Sequence, residues 1–247
     1  MEITVLGCGE AFDERYPNTS VLVRSEEATF LLDCGYSVPP QVWRHLADPN
    51  EIDAVYISHG HADHYFGLPA LLSRFWEDGR TKRLAILSQT ALLEPIRGLM
   101  EAGYRQLAAR FQYDIDYRSA EPGRTIELFG SRFDFAPTEH SVANYAVRIR
   151  SGGTFCYSGD GMFTKESMAL FKSADLVVHE AYWFEASHVH ADIDGLIAMA
   201  DQQAISRLAL VHVQRGLRRD PARILTAMSR AENTDVSLPE PLARYEI

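Results

Sequence analysis

The sequence predicts a layered α/β fold, and three observations predict it. Short apolar stretches rich in β-branched residues recur along the 247 residues. Segments with helical spacing lie between them, which is how strands and helices alternate in layered architectures. Nine histidines complete the picture, most of them at or just beyond the ends of those stretches. There, loops carry chemistry above a rigid sheet.

Strands are expected at residues 3–6, 21–23, 29–32, 54–57, 84–87, 132–136, 146–149, 154–157, 176–178 and 208–213. Several are continuous apolar runs, as in strands covered on both faces. A helix is expected from Leu92 to Tyr104, where Leu92, Leu93, Ile96, Leu99 and Met100 keep i, i+3/i+4 spacing. Pro95 within it implies a late start or a kink. Two more helices are expected at residues 192–204 and 221–228, the second with Asp220 as N-cap and Pro221 in its first position. Gly7-Cys8-Gly9 lacks the third glycine of a dinucleotide fingerprint and reads as a turn.

With 46% hydrophobic and 23% charged residues, the composition is globular. No repeat, linker or charge block divides the chain, so residues 1–247 are read as one domain. No apolar run approaches the ~18 residues of a membrane span, and neither a signal peptide nor a membrane partner is expected. Three widely spaced cysteines suit reduced thiols, and the expected location is the cytoplasm. The net charge of −10 argues against long nucleic acids, whose binders carry a basic face. A small anionic substrate remains compatible with it.

After the expected strand 54–57 comes His59-Gly60-His61-Ala62-Asp63-His64. From this chain's own composition such a cluster arises by chance on the order of 10⁻³ per sequence, against the alternative of a polar surface loop. His59 and His61 are two apart, so an extended segment projects both to one side, where they can hold one metal. Asp63 and His64 follow a turn and can reach a second ion. Imidazole with carboxylate suits Zn²⁺ first, with Mn²⁺ or Fe²⁺ as alternatives. The further candidates His140, Asp160 and His212 each end an expected strand.

This ordered set resembles the metallo-β-lactamase superfamily over nearly the whole chain. The resemblance implies an αββα sandwich, four layers deep, with two metal ions at one edge. It assigns His59, His61 and His140 to one metal, Asp63, His64 and His212 to the other, and Asp160 to a bridge between them. Asn18-Thr19-Ser20, Leu31-Leu32-Asp33-Cys34-Gly35, Val178-His179-Glu180-Ala181 and His190 are similar to ribonuclease Z and its small phosphodiesterase relatives. By that likeness Glu180 and His190 form a relay beside the metals, with Tyr182 where the relatives carry threonine and His188 as the rival to His190. His140 and Asp160 are only 20 positions apart, too close for the tRNA-clasping arm of ribonuclease Z.

The reading that follows is a dinuclear metal-dependent phosphodiesterase. A hydroxide bridging two metals would attack the phosphorus of a small cyclic or nucleotide-like phosphodiester. Asp63 would serve the metal-held catalytic centre, and His190, oriented by Glu180, would protonate the leaving alkoxide. Arg215 is the expected phosphate contact, among Arg215, Arg218, Arg219 and Arg223. Tyr65, Phe66, Phe163, Tyr182, Trp183 and Phe184 are candidates to wall a ring pocket. The segment from Leu92 to Phe111 reads equally as a lid or a dimer contact, and a homodimer is expected on the pattern of the relatives. Hydrolysis of a lactone or thioester on the same metals is one alternative; a non-catalytic metal-binding sensor is another.

Overall fold

The apolar side chains of the strands divide by alternation, and the layers follow from that division. The computed structural model describes residues 1–185 and 187–247. Its first half contains β1 (Glu2–Gly7), β2 (Ser20–Arg24), β3 (Thr29–Leu32), α1 (Pro39–His45), β4 (Ile52–Ile57) and the one-turn α2 (Ala62–Tyr65). There follow α3 (Leu68–Glu77), β5 (Leu84–Ser88), α4 (Thr90–Gly103) and β6 (Ile115–Ser119). The second half contains β7 (Ile126–Leu128), β8 (Ser131–Glu139), β9 (Asn144–Arg150), β10 (Thr154–Tyr157), β11 (Met162–Phe163), α5 (Lys165–Phe171) and β12 (Leu176–Glu180). It closes with α6 (Ile193–Gln202), β13 (Arg207–Val211), α7 (Arg215–Arg219), α8 (Ala222–Met228), β14 (Asp235–Ser237) and β15 (Arg244–Glu246).

One sheet runs β15-β1-β2-β3-β4-β5-β6, and the other β11-β8-β9-β10-β12-β13-β14 with β7 also on β8. Each sheet is antiparallel at one side and parallel at the other, from β3 to β6 and from β10 to β14. In β4, Ala54 and Tyr56 join a cluster between the sheets with Phe30, Phe133, Tyr157 and Val178. Their neighbours Val55 and Ile57 turn outward, against Val42, Leu71, Leu72, Ile96 and Met100 of α1, α3 and α4. In the second sheet Val177 and Leu208 face outward, against Phe171, Leu196, Met199 and Ile224 of α5, α6 and α8. Helices, sheet, sheet, helices: these are the four layers of an αββα sandwich.

All ten expected strands exist. That at 208–213 ends at Val211, because His212 has φ of 54° and the ladder cannot continue through it. The helix expected from Leu92 starts at Thr90 and runs through Pro95, which faces solvent, so water can serve the carbonyl it leaves unbonded. Its residues Leu92, Ile96 and Met100 are buried in the outer cluster. Helix α6 begins one residue later than expected, with Asp192 capping it through Gly195 N. Helix α8 also departs by one residue: Pro221 is its N-cap and Asp220 instead closes α7, which the arginine-rich stretch forms just upstream. Strands β6, β7, β11, β14 and β15 and helices α1, α2, α3, α5 and α7 were not anticipated. Most are short or half-exposed, and α1 opens on two prolines. No described helix is long and apolar enough to cross a membrane.

Candidate metal centre

Four loops meet at one end of the two sheets. The first leaves β4 as Ser58-His59-Gly60-His61 and enters α2 with Asp63 and His64; the others bring His140 after β8, Asp160 after β10 and His212 after β13. One ligand atom from each of His59, His61, His140 and Asp160 lies within 4.8 Å of the others. The same holds for Asp63, His64, Asp160 and His212, so Asp160 belongs to both groups. The sequence-predicted ligands are thus brought together in the two sets the resemblance implied.

The hydrogen bonds behind the rings orient them. Ser58 Oγ donates to Asp33 Oδ2 at 2.7 Å, so its contact with His59 Nδ1 at 3.0 Å has the imidazole as donor. His64 Nδ1 donates to Asp33 Oδ2 at 2.7 Å, and His140 Nδ1 to the Val189 carbonyl at 2.7 Å. All three rings therefore turn Nε2 toward the centre, the arrangement in which outer partners set metal-binding tautomers. His59 Nε2, His64 Nε2 and Asp160 Oδ1 are buried without a hydrogen-bond partner among the described residues. Buried polar atoms without partners are costly, and these belong to residues of the two clustered groups. His61 Nδ1 stands 3.1 Å from His140 Nε2, and His212 Nε2 is 3.2 Å from Asp63 Oδ2.

Charge points the same way. Asp33, Asp63 and Asp160 are buried with imidazoles but with no lysine or arginine partner among the described residues. Burial works against the charge on Asp160, yet His212, His64 and His59 hold it well below the usual carboxylate range. Asp63 is likewise held low against its burial by His212 and His64. Asp160 in turn overcomes burial to raise His212 to about 9, and with Asp33 raises His64. His59 and His61 go the other way, pushed down by burial and by neighbouring imidazoles. Protonated His64 and His212 balance the ionised carboxylates; divalent cations fit the same place, and the donor set of imidazoles and carboxylates suits them.

Glu180 and His190 sit beside this centre. Glu180 Oε1 accepts from Gly161 N at 3.0 Å and Ala191 N at 2.8 Å, and lies 3.4 Å from His190 Nδ1. His190 stacks on Tyr182 with ring centroids 4.5 Å apart, whereas His188 is exposed. Arg215 lies outside the cavity lining, its Nη1 2.6 Å from Glu10 Oε1. Of the six aromatics singled out in the sequence, only Tyr182 lines the cavity. Tyr65 packs in the outer cluster of the first sheet and Phe163 and Phe184 in that of the second, while Phe66 and Trp183 are exposed elsewhere. Phe12 and Tyr36 line it instead, and Asp33 is the buried acceptor behind it. The motif around Asp33 was visible in sequence; nothing local marked Phe12 or Glu10.

Residues 1–230 match the family described as Anti-Pycsar protein Apyc1. The chain belongs to this family. An Apyc1 from Paenibacillus harenae is 30% identical over 209 residues, covering 81% of this chain and 85% of that protein. A ribonuclease Z of Methanothermobacter thermautotrophicus is 25% identical over 293 residues, covering 96% and 94%. Among solved structures, the metallo-β-lactamase fold protein YhfI of Bacillus subtilis superposes with a TM-score of 0.83 at 21% identity, covering 99% of this chain and 98% of that one. The Apyc1 family member described here thus has the metallo-β-lactamase fold, and its similarity extends to ribonuclease Z. The 19 residues between His140 and Asp160 are occupied by β9, β10 and their turns.

Proposed function

We propose that this protein is a metal-dependent phosphodiesterase acting on a small phosphodiester, with cyclic nucleotides as the first class to test. The observation that carries the reading is the sharing of Asp160 by two His/Asp groups at a cavity of about 340 Å³, with His190 on its wall. That volume is at the lower end for small-molecule sites, which supports a mononucleotide-sized ligand over a long nucleic acid. The net charge of −10 supports the same preference. The comparisons support the phosphodiesterase reading too: the relatives include ribonuclease Z, by name a nuclease and so an enzyme of phosphodiester bonds.

His59, His61 and His140 would hold one ion and Asp63, His64 and His212 the other, with Asp160 common to both; Zn²⁺ is the first choice, Mn²⁺ or Fe²⁺ the alternatives. Such ions, when bound, lower the pKa of water and stabilise charge on attacking and leaving oxygens. The chain's own part is positioning and proton transfer. Asp33 and Ser58 fix the rings, and Glu180, anchored by two backbone N–H groups and 3.4 Å from His190 Nδ1, would orient that ring by its charge. His190 gives its proton to the leaving alkoxide, a contribution typically worth 10²–10⁴-fold. The setting we infer is a cytoplasmic homodimer with a small anionic substrate.

Apo-protein reconstituted with Zn²⁺ or Mn²⁺ should hydrolyse bis(p-nitrophenyl) phosphate and a cyclic nucleotide, and His61→Ala should abolish both activities. Turnover of a thioester or lactone alone would overturn the phosphodiesterase reading, and a metal-loaded protein inert toward every ester would favour a sensor. His190→Ala should lose far more activity on alkoxide-leaving substrates than on aryl esters. Equal losses on both would remove His190 from the leaving-group role.

A further inference from the structure

We propose that Phe12 and Tyr36 form the wall that binds the ring of the substrate, and that Arg215 acts on this wall through Glu10 instead of touching the phosphate. The inference rests on the phosphodiesterase reading and adds to it where the non-phosphate part of the substrate sits.

Phe12 is 76% exposed, more than any other large apolar side chain described, and Tyr36 is 50% exposed. Both line the cavity that holds Asp63, His140 and Asp160. An exposed phenylalanine ordinarily sits on a loop free to fold it away. This loop is tied down. Phe12 N donates to Glu10 Oε2 at 2.8 Å, and the Tyr36 hydroxyl donates to the Ala11 carbonyl. Beyond them, Arg15 N and Tyr16 N donate to Asp13 Oδ1 at 2.8 and 3.1 Å, and Gly9 N to the Pro17 carbonyl at 2.8 Å. The ring is held in water at the mouth of a cavity, so little ordering remains to be done when a flat ligand arrives. Bases stack on such aromatic platforms without needing an edge-reading partner.

Glu10 explains Arg215. Its carboxylate is buried at 1% exposure, lines the cavity, and has Arg215 as its cationic partner among the described residues. Were Arg215 to turn to a substrate phosphate, it would leave that buried carboxylate unpaired and facing an anion, which is strongly unfavourable. Kept on Glu10, the guanidinium neutralises the wall and fixes the carboxylate that in turn fixes Phe12 N. Arg215 is therefore a positioning residue. Its distance from Glu10 in sequence, 205 residues, hides the pairing from any local reading.

The test uses the metal-loaded full chain with two substrates: cytidine 3′,5′-cyclic phosphate and the ribose cyclic phosphate without a base. Phe12→Ala, a change at an exposed side chain, should raise KM about 5- to 100-fold on the first and leave kcat within about threefold. It should change neither constant on the second. Arg215→Ala combined with Glu10→Ala, which leaves no unpaired carboxylate facing the phosphate, should show the same split and add nothing in the Phe12→Ala background, and Arg215→Lys alone should stay close to wild type. Loss on the base-free substrate in that double variant would place the guanidinium on the phosphate and overturn the proposal, leaving the phosphodiesterase reading intact. Saturation transfer from metal-free protein to the base protons reads the wall without turnover. It should fall sharply in Phe12→Ala, with Tyr36 supplying what remains; an equal signal in wild type and variant would overturn the proposal whatever the enzyme hydrolyses.

Discussion

Asp33 and His212 are the two described non-glycine residues near the centre that adopt left-handed backbone angles, with φ of 57° and 54°. For non-glycine residues such angles store strain that surrounding contacts must hold. Asp33 is held by four bonds, from Ser58 N, Ser58 Oγ, His64 Nδ1 and Tyr157 OH, all between 2.7 and 2.8 Å. Asp33→Asn turns one acceptor into a donor among donors. It should cost about 1–3 kcal/mol in urea unfolding and weaken metal binding about 10- to 100-fold in a chelator competition. Unchanged metal affinity would show that His64 is oriented without it. The thiols invite a second test. Burial pushes Cys8 and Cys156 up to about 12 and Cys34 higher still, so thiolate is scarce near neutral pH. Native protein at about pH 8 should leave all three cysteines unreacted with Ellman's reagent, and unfolding in guanidinium should expose all three. A fast-reacting thiol in the native state would contradict this burial. At this scale the ligands were legible because four of them crowd one six-residue stretch. Asp33 was visible only as part of a motif, and Glu10 was not visible at all.

The short helix α2 carries Asp63 and His64, and four residues cannot stabilise a helix by themselves. It is clamped from outside. Cys34 N donates to the His64 carbonyl at 2.7 Å, and Gly67 N to the Cys34 carbonyl at 2.8 Å. The approach is so close that a Cβ on Gly35 would lie 1.9 Å from the Asp63 carbonyl oxygen. Gly35→Ala should therefore lower stability by about 3 kcal/mol or more and displace Asp63 and His64. Urea unfolding and metal stoichiometry together would check it; full stability with two ions bound would refute the clamp. A similar lock lies further along, where buried Arg80 donates to the carbonyls of Pro49, Ile52 and Arg83 at the ends of β4 and β5. Long apolar strands were legible because their pattern is unambiguous. Elements such as β6, β14 and β15 were not, since a half-exposed edge strand needs a neighbour to define it.

The candidate ligands come from both sheets: His59, His61, Asp63 and His64 follow β4, whereas His140, Asp160 and His212 follow strands of the other sheet. Metal would then join the two halves of the sandwich. Ligand that binds only the native state adds about 4 kcal/mol at a thousandfold excess over Kd. For a chain of this size that corresponds to roughly 10 °C in Tm. Chelation should lower Tm by about that amount while far-UV circular dichroism at 25 °C stays native, because the core between the sheets contains no ligand residue. An unchanged Tm would mean that metal does not bridge the sheets.

The sequence by itself determined the period of each long strand and helix, hence the layered architecture, and it determined which residues could bind metal. Those signals are local: an apolar alternation, or several ligands within one turn of chain. Only the tertiary structure decided which side chains line the cavity beside those ligands. The tethering of Phe12 and the replacement of the expected aromatics by Phe12 and Tyr36 depend on the loop after β1 meeting that after β3, and the pairing of Arg215 with Glu10 depends on loops from the two ends of the chain meeting. That meeting follows from β1 and β13 delivering Gly9 and Val213 side by side, a contact set by packing across the whole core and written in no single segment.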